Sequence, residues 1–513
     1  MREFQNEPLT NFAEAGSKEK MQAALAKVQS ELGRDYPLII NGERIYSEGT
    51  ITSVNPGKLN QIIGTVHKAD RALAAKALDS AQDAFVNWKN VSPEARAAHL
   101  FKAAAIMRRR KLELAAWMCV EVGKNWVEAD ADVAEAIDFL EFYGREAIRM
   151  GGNQPLTPLA GEDNRLTYIP LGVGVIISPW NFPLAILTGM ASAAVVAGNC
   201  VLIKPASTAP VIAYKFMEIM EQAGVPSGVI NFVPGSGSEV GDFLVAHPQT
   251  RFISFTGSKD VGLRINELAA RPQPGQIWIK RVVAEMGGKD AIIVDAGADL
   301  EEAADGIVAS AFGFQGQKCS AGSRAIVHQA VYDQVLDLVV RRVQKLEVGP
   351  AEANFPVGPV IDPGAYEKIL RYIEIGKTEG QLVAGGGKAE GNGYYIQPTV
   401  FSGVDPQARI AQEEIFGPVL ALIKAESFEH AVRIFNNTEF GLTGSLYSNN
   451  RQHLEWARTE MHCGNLYFNR KCTGALVGVH PFGGFNMSGT DSKAGGRDYL
   501  LLFSQAKLVS EKL

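Results

Sequence analysis

The sequence predicts an α/β protein in which a parallel, doubly wound sheet is followed by a second α/β domain. Between residues 172 and 256, short apolar runs of strand length alternate with helical patterns. Strands that are apolar on both faces and separated by helices are typical of parallel sheets covered by helices on both sides. The same alternation resumes after residue 290, and a chain of 513 residues is too long for a single core.

Each predicted element is bounded by a turn signal or by a change of hydrophobic period. For the first domain we expect strands over 172–177, 201–203, 228–233 and 252–255, and helices over 183–197, 210–222 and 239–246. For the second domain we expect strands over 291–294 and 323–328, and helices over 300–312 and 331–347. Two earlier helices, 72–88 and 93–122, should pack around the first sheet. The segment 151–170 is rich in Gly, Pro and Thr, and its flanks should form a hairpin that projects from the body.

Composition and charge argue against several classes of partner. The chain carries 50 basic and 56 acidic residues and no basic run, so nucleic acid is not an expected partner. Five scattered cysteines do not form a disulfide framework and fit a reducing compartment. The first seven residues lack an apolar signal core, which favours the cytoplasm. Residues 182–203 are apolar enough to suggest a membrane span, but Pro183 and Gly198-Asn199 interrupt them, so we expect a buried helix and strand and no membrane partner.

A cysteine and a carboxylate are the strongest candidates for chemistry. Cys319 lies among small and polar residues that a substrate could reach, and a reactive thiolate needs such a setting. Glu285 precedes it in the chain, and a carboxylate brought near the thiol by the fold could act as a base. A lone cysteine is more often a buried structural residue, so the assignment depends on this pairing and on further motifs.

The ends of the predicted strands carry a second set of candidates. A regular Gly-x-Gly-x-x-Gly is absent, since residues 235–241 follow a strand and open a helix with a last spacing that is one residue too long. Asn181, Lys204 and Gly257-Ser258 each follow a strand, at the edge where open parallel sheets bind ligands. Gly257 and Ser258 could bind a phosphate, Lys204 a ribose, and the Asn181 amide a developing oxyanion. Taken alone, Lys204 could equally be a surface lysine and Asn181 a turn residue.

Seven motifs in order resemble the aldehyde dehydrogenase superfamily, from about residue 40 to the C-terminus. They are Pro179-Trp180-Asn181-Phe182, Lys204-Pro205-Ala206, Phe255-Thr256-Gly257-Ser258, Glu285-Met286-Gly287-Gly288-Lys289, Gly316-Gln317-Lys318-Cys319, Glu413-Glu414-Ile415-Phe416-Gly417-Pro418 and Pro481-Phe482-Gly483-Gly484. Residues 317–321 and 469–478 are similar to the branch that oxidises L-glutamate γ-semialdehyde, the open-chain form of 1-pyrroline-5-carboxylate, in proline catabolism. The resemblance implies a Rossmann-type NAD-binding domain, a second α/β catalytic domain and a small oligomerisation hairpin.

The resemblance also implies roles for matched positions. Cys319 would attack the aldehyde, the Asn181 amide and the Cys319 N–H would hold the oxyanion, and Glu285 would activate the water that hydrolyses the thioester. The implied NAD contacts are Lys204 at the adenosine ribose, Trp180, Gly257 and Ser258 at the pyrophosphate, Glu414 at the nicotinamide ribose and Phe416 near the ring. Many relatives have a Glu three residues after the ribose lysine, where this chain has Ser207, so NADP is a possible second cofactor. No metal is expected.

Substrate recognition should depend on the far carboxylate. Gly474-Ala475 lies in a loop whose N–H groups could form an anion nest, and Ser320 adds a hydroxyl. Phe182 and Phe482 would flank the aliphatic chain, although both could be plain core residues. Three other interpretations stay open: an aldehyde dehydrogenase for another semialdehyde or a simple aldehyde, a cysteine hydrolase without a dinucleotide, and a binding protein that has lost the chemistry.

The resemblance implies a division of the chain and an assembly. The NAD-binding domain would comprise 1–150, with an N-terminal arm, and 171–286, the oligomerisation hairpin 151–170, the catalytic domain 287–485 and the C-terminal oligomerisation segment 486–513. The hairpin and residues 500–509 would leave strand edges unpaired on a monomer, and such edges are normally covered. We therefore expect a homo-oligomer that is at least a dimer.

Overall fold

A computed structural model describes residues 3–513; Met1 and Arg2, which begin the expected N-terminal arm, lie outside the described residues. The part of the chain before residue 171 is mainly helical and contributes two strands to a larger sheet. Its elements, in chain order, are α1 Ala15–Glu31, β1 Arg34–Tyr36, β2 Leu38–Ile40, β3 Glu43–Ile45, β4 Thr50–Val54, β5 Ile62–His67, α2 Arg71–Trp88, α3 Pro93–Arg109, α4 Lys111–Val122, α5 Trp126–Met150 and β6 Glu162–Pro170.

The single helix predicted over 93–122 was wrong, because the structure has two helices there. Arg110 leaves the helical conformation, with φ −100° and ψ 13°, and its N–H closes the end of α3 on Ile106 and Met107. Its guanidinium then bonds Glu113 in the first turn of α4, at 2.6 Å. No Gly or Pro marks this break in the sequence.

The predicted doubly wound sheet is confirmed. Its remaining elements are β7 Val173–Ile177, α6 Ala185–Val196, β8 Cys200–Lys204, α7 Pro210–Gln222, β9 Ile230–Phe232, a π-helical turn Gly237–Gly241, α8 Asp242–Ala246, β10 Phe252–Thr256, α9 Lys259–Ala270 and β11 Arg281–Glu285. The strand order is β11-β10-β7-β8-β9-β2-β3, with β7 to β11 parallel and with β2 and β3 antiparallel at one edge. From β7 the chain first adds β8 and β9 on one side and then β10 and β11 on the other side. The strand order therefore reverses between β7 and β10, which is where such a sheet forms its ligand crevice.

The second sheet holds the predicted second domain. The elements after residue 290 are β12 Ala291–Val294, α10 Leu300–Phe312, a 3₁₀ turn Gly313–Gly316, β13 Arg324–His328, α11 Tyr332–Val343, a 3₁₀ turn Ala351–Ala353, α12 Pro363–Glu379, β14 Gln381–Ala384, β15 Thr399–Ser402, α13 Arg409–Gln412, β16 Val419–Ala425, α14 Phe428–Asn436, β17 Phe440–Gly441, β18 Thr443–Tyr447, α15 Arg451–Glu460, β19 Asn465–Phe468, β20 Phe485–Asn486, a 3₁₀ turn Tyr499–Phe503 and β21 Ser504–Lys512. The order β14-β15-β16-β13-β12-β18-β19 is parallel except for β14. Apolar clusters cover both faces, with α12, α14 and α15 on one side and α10 and α11 on the other.

The predicted hairpin at 151–170 forms differently from the expectation. Its second half, β6, pairs along its whole length with the C-terminal strand β21, and only one bridge, Gln154 to Leu166, joins the two flanks of the segment. The two edges that the sequence left unpaired therefore pair with each other within one chain. The smaller sheets are β1-β5-β4 and β17-β20.

The apolar segment 182–203 is confirmed as a buried helix followed by a buried strand, α6 and β8. Across residues 3–513, no helix combines the length and the apolar character that crossing a bilayer would need.

Candidate active site

The cysteine lies on a loop of unusual backbone geometry. This catalytic loop, residues 313–323, joins α10 to β13, and Phe314 and Gln315 adopt left-handed conformations with φ of 48° and 56°. Such conformations cost on the order of 1–3 kcal/mol for a residue with a side chain and persist where the surroundings fix them. Gln315 supplies one anchor, since its amide donates to the carbonyls of Gly123 and Pro359 at 3.1 and 2.8 Å. Gln317 supplies another by accepting from the N–H of Ile361 at 3.0 Å.

The fold brings the three proposed catalytic residues together around this loop. A Cβ on Gly288 would lie 2.5 Å from the Cys319 carbonyl oxygen, so only glycine allows the segment after Glu285 to pass the nucleophile so closely. Asn181 reaches the same loop, because its amide donates to the carbonyl of Gln317 at 3.1 Å. Glu285 is the last residue of β11 and pairs with Thr256 at the carboxyl edge of the first sheet.

Glu285 is a buried carboxylic acid with one oxygen engaged. The hydroxyl of Ser492 donates to Oε1, while Oε2 is buried and has no hydrogen-bond partner among residues 3–513. Burial raises the pKa of Glu285 to about 7, and the hydrogen bond from Ser492 opposes that rise. A carboxyl group with a pKa near neutrality can exchange a proton at physiological pH, as a general base must. Sequence analysis did not identify Ser492.

Cys319 is partly accessible, but its surroundings favour the protonated thiol. Burial raises its pKa, and the nearby carboxylates of Asp290, Glu285 and Glu414 raise it further. The thiolate therefore needs a base to take its proton. The N–H of Cys319 itself makes no hydrogen bond within residues 3–513. It is therefore free to donate, as the proposed oxyanion role requires.

A cavity of about 560 Å³ leads from the crevice of the first sheet to Cys319. Both domains line it: the ends of β7, β8 and β10 on one side, and Lys368, Glu414 and Phe416 on the other. Six of the seven predicted cofactor residues line this cavity, namely Trp180, Lys204, Gly257, Ser258, Glu414 and Phe416.

Ser207 is the one predicted cofactor residue that does not line this cavity, and its role at the cofactor stays a prediction. Ser207 lies exposed in the turn after β8 and does not line the cavity, whereas Ala206 does. Sequence analysis also missed two cations that line the cavity, Arg264 on α9 and Lys368 on α12, because neither belongs to a recognisable motif.

The lining has the polar groups that a dinucleotide needs. Ser258 precedes α9 but makes no side-chain cap bond, so its hydroxyl and the first N–H groups of the helix are open to an anion. Lys204 is buried, and burial lowers its pKa to about 8. Glu414 accepts from the N–H of Gly288 at 3.0 Å, and a Cβ on Gly287 would overlap the carboxylate at 2.4 Å.

The glycine-rich element with the wrong spacing also belongs to this cavity. Gly237, Ser238 and Gly241 line it. Residues 237–241 form a π-helical turn, which contains one residue more per turn than the α-helical start of a regular Gly-x-Gly-x-x-Gly element. The π turn therefore accommodates the additional residue that made the glycine motif irregular in the sequence.

The five predicted substrate residues lie outside the dinucleotide cavity. Ser320 is buried beside Cys319, and its carbonyl accepts from the Cys472 thiol at 3.5 Å. This contact brings the substrate loop, residues 473–478, next to the nucleophile. Within it, Gly474 is exposed with φ of +80°, and Ala475 is half-buried.

The two phenylalanines are both half-buried. Phe182 has the Nζ of the fully buried Lys124 at 3.8 Å from its ring centroid. Phe482 is fixed by an isolated antiparallel bridge to Ala494. The ring of Phe182 and the backbone of Phe482 therefore each have a fixed neighbour.

An acidic face of α5 was also missed by sequence analysis. Glu128, Asp132, Glu135 and Asp138 recur at helical spacing, and Glu128 pairs at 2.7 Å with Lys318, the residue before the nucleophile. Burial, followed by the charge of Asp132, raises the pKa of Glu135 to about 8. The helix thus presents carboxyl groups toward the catalytic loop.

Comparison with known proteins agrees with this geometry. The aldehyde dehydrogenase family model matches residues 45–509. The chain belongs to the aldehyde dehydrogenase family. It is 62% identical over 509 residues to the 1-pyrroline-5-carboxylate dehydrogenase of Geobacillus thermodenitrificans, with 99% of each chain covered.

Two solved structures extend the comparison. A 1-pyrroline-5-carboxylate dehydrogenase from Thermus with bound NAD is 55% identical, with a TM-score of 0.99 and full coverage of both chains. Proline utilization A from Bdellovibrio bacteriovorus is 45% identical with a TM-score of 0.98, and the match covers 99% of this chain and 53% of that one. These likenesses confirm the predicted fold class.

Proposed function

We propose that the chain oxidises L-glutamate γ-semialdehyde, the open form of 1-pyrroline-5-carboxylate, to L-glutamate in proline catabolism, with NAD as the cofactor. The fold and the catalytic residues support aldehyde oxidation in general. The substrate follows from one further observation, the orientation of two peptide groups in the substrate loop.

Arg470 turns two N–H groups of the substrate loop toward one side. Its guanidinium donates to the carbonyls of Thr473 and Gly474 at 2.9 and 3.1 Å. These carbonyls share their peptide groups with the N–H groups of Gly474 and Ala475, and in a trans peptide the N–H points opposite to the carbonyl. Both N–H groups therefore point away from the guanidinium, and the left-handed Gly474 has the backbone conformation found in anion nests.

Nothing within residues 3–513 accepts from either of these N–H groups. A pair of free, neighbouring donors on a loop that follows Cys472, which contacts the buried Ser320, fits a carboxylate better than an uncharged chain end. The cation of Arg470 further polarises both peptide groups toward an anion, and its own position is fixed over the Tyr467 ring at 4.4 Å. This site supports a substrate with a carboxylate at the end away from the aldehyde.

The reaction begins at Cys319. Its thiol loses a proton to the Glu285 carboxylate, whose Oε2 has no other hydrogen-bond partner among the described residues. The sulfur then attacks the aldehyde carbon. The carbonyl oxygen becomes an oxyanion held by the Cys319 N–H and by the Asn181 amide. One of the two Asn181 amide protons is used on Gln317, which leaves the other for the oxyanion.

Hydrolysis completes the reaction. Loss of a hydride from the thiohemiacetal carbon leaves a thioester on Cys319, and Glu285 releases to solvent the proton that it took from the thiol. Glu285, whose pKa of about 7 allows it to accept a proton, then takes one from water while the oxygen of that water attacks the thioester carbon. The carbon–sulfur bond breaks, the carboxylic acid leaves, and the thiol is restored.

NAD, when bound, supplies the acceptor for the hydride. The residues that would hold it are Lys204, Trp180, Gly257, Ser258, Glu414 and Phe416, which line the cavity that reaches Cys319. A glutamate at position 207 would repel the 2′-phosphate of NADP, and this chain has a serine there. NADP is therefore retained as a possible second cofactor.

The proposed assembly is at least a dimer. The ribbon of β6 and β21 stands away from the core, and eight of the nine residues of β21 are exposed, among them Leu508 and Val509 at 59% and 51%. An open apolar strand edge is normally covered by another chain. Sedimentation at micromolar concentration should give a mass of at least two chains. The five cysteines are free thiols, which supports the expected cytoplasmic location.

The proposed substrate is tested with three five-carbon aldehydes and NAD: L-glutamate γ-semialdehyde, 5-oxopentanoate and pentanal. Two hydrogen bonds to a charged group, at roughly 1.5–3 kcal/mol each, should favour either carboxylate substrate over pentanal by about a hundredfold in kcat/KM. Equal efficiency with pentanal would overturn the substrate assignment and leave the family assignment intact. Succinic semialdehyde, with four carbons, is added as a fourth substrate, and the highest kcat/KM with it would favour the alternative of another semialdehyde.

A further inference from the structure

An N-terminal arm, residues 4–12, lies extended along α5 from Trp126 to Phe142. The contacts run antiparallel to the helix. Phe12 packs on Trp126 with ring centroids 5.6 Å apart, and Thr10 donates to Asp130 through both its N–H and its hydroxyl. Further along, the N–H of Glu7 donates to Asp138 at 2.6 Å, and Phe4 packs edge-on against Phe142 with ring centroids 5.2 Å apart. Each step toward the N-terminus thus moves further along the helix.

The spacing of these contacts shows that the arm has no slack. The eight residues from 12 to 4, extended at about 3.3 Å each, cover about 26 Å, and the sixteen residues from 126 to 142, at about 1.5 Å each, cover about 24 Å. The arm is therefore in register with the helix from end to end, and its far end is fixed in position.

That far end contacts the substrate loop. Asn6 uses both protons of one amide, since it donates to Asp138 Oδ2 at 2.8 Å and to the carbonyl of Val477 at 3.0 Å. The next residue, Gly478, has φ of +77°, and a Cβ there would lie about 3 Å from the rings of both Phe4 and Phe142. Val477 and Gly478 are thus held jointly by the arm and α5.

The same helix is tied to the nucleophile. The carboxylate of Glu128 on α5 pairs with Lys318 at 2.7 Å, one residue before Cys319. The helix therefore sets the distance between the thiol and the C-terminal end of the substrate loop, while Arg470 orients the N-terminal end. Between these two ties Leu476 is 46% exposed, so few other contacts hold the loop in place.

We propose that the N-terminal arm is part of the substrate site and that Asn6 is a positioning residue for recognition of the substrate carboxylate. This inference rests on the proposed function, because it assumes that the N–H groups of Gly474 and Ala475 bind that carboxylate. Asn6 does not touch the substrate; it fixes the peptide group of Val477, and through it the distance of the two donors from Cys319.

The test compares Asn6→Ala with the wild-type chain on L-glutamate γ-semialdehyde and pentanal. Loss of the tie should raise KM for the semialdehyde about five- to tenfold, with kcat, the KM for NAD and the kcat/KM for pentanal nearly unchanged. Asn11→Ala is the matched control, since Asn11 lies on the same arm and its exposed side chain bonds only its neighbours, Glu14 and the N–H of Ala13. This control should match the wild type in every constant.

A double variant separates the loop tie from the stability of the arm. In Asn6→Asp with Asp138→Asn, the new carboxylate accepts from the new amide, and the N–H of Glu7 keeps its acceptor, but Val477 loses its donor. The thermal midpoint should stay within about 3 °C of the wild type, while KM for the semialdehyde rises as in Asn6→Ala. A wild-type KM in either variant, or an equal loss with pentanal, would overturn the inference.

The outcome with the wild-type chain distinguishes the two proposals. If the wild type oxidises pentanal as efficiently as the semialdehyde, the proposed function fails and the arm has no carboxylate site to position. If the wild type is selective and both Asn6 variants remain equally selective, only the role of the arm is wrong.

Discussion

The catalytic loop and the substrate loop lie side by side and are held in opposite ways. The catalytic loop is buried, and side chains of its own, Gln315 and Gln317, anchor it to three distant backbone groups. The substrate loop is half-exposed, and side chains from outside it, Arg470 and Asn6, hold it by its carbonyls. In the first loop the side chains determine the backbone; in the second the backbone itself is the recognition group.

This difference separates the chemistry from the selectivity. Aldehyde oxidation needs a fixed thiol, oxyanion donors and base, and these are set by buried packing such as Gly288 against Cys319. Selectivity needs two N–H groups pointed at one place, and these can be lost without disturbing the core. Changes in the two regions should therefore affect different kinetic constants.

The largest effect is expected from Cys319→Ala. Without the thiol no covalent intermediate forms, so kcat should fall by about 10³-fold or more for every aldehyde. NAD affinity should stay nearly unchanged, as measured by quenching of protein fluorescence. Residual turnover above a trace would remove Cys319 from the mechanism.

Glu285→Gln should slow the second half of the reaction. An amide cannot take a proton from water, so thioester hydrolysis should fall by about 10²- to 10⁴-fold. If Glu285 is not needed to form the thiolate, stopped-flow absorbance should show a burst of reduced cofactor followed by a slow steady state. A full steady-state rate would exclude Glu285 as the base.

Arg470→Ala tests the substrate loop alone. Both oriented peptide groups lose their partner, so kcat/KM for L-glutamate γ-semialdehyde should fall about tenfold to a hundredfold, mostly through KM. Pentanal, which has no carboxylate, should be oxidised as by the wild type. An equal loss for both aldehydes would mean that Arg470 supports the fold and not the selectivity.

The smallest effect is a pH shift in Ser492→Ala. The Ser492 hydroxyl donates to the Glu285 carboxylate and so favours its ionised form, and removing the hydroxyl should raise the pKa further above about 7. Since the ionised form is the base, the rising limb of hydrolysis rate against pH should move upward by about one pH unit. An unchanged limb would show that this hydrogen bond does not tune the base.

Local patterns in the sequence predicted most of the elements. The bounds of β12, α7 and α10 match the expectation, because continuous apolar runs end at clear Gly, Pro or charged signals. The division of helix 93–122 was missed, since Arg110 carries no such signal. The role of Ser207 came from a spacing in relatives and not from a pattern in this chain, so it stays a prediction.

Contacts between distant segments could not be predicted in the same way. The resemblance predicted that Cys319 and Glu285 would act together, but the reason, Gly288 against the Cys319 carbonyl, depends on backbone packing. The π turn at residues 237–241, the bonds of Arg470 to two carbonyls and the arm along α5 depend equally on three-dimensional geometry. Of these, only the π turn has a sign in the sequence, the last glycine spacing in residues 235–241.

The central claim is that two N–H groups of the substrate loop bind the far carboxylate of the substrate. A crystal structure of the chain with L-glutamate bound tests it most directly. The account predicts one carboxylate with its oxygens about 2.7–3.2 Å from the backbone nitrogens of Gly474 and Ala475, and with the Ser320 hydroxyl in reach. A carboxylate bound instead by the guanidinium of Arg470, with its bonds to Thr473 and Gly474 broken, would contradict it.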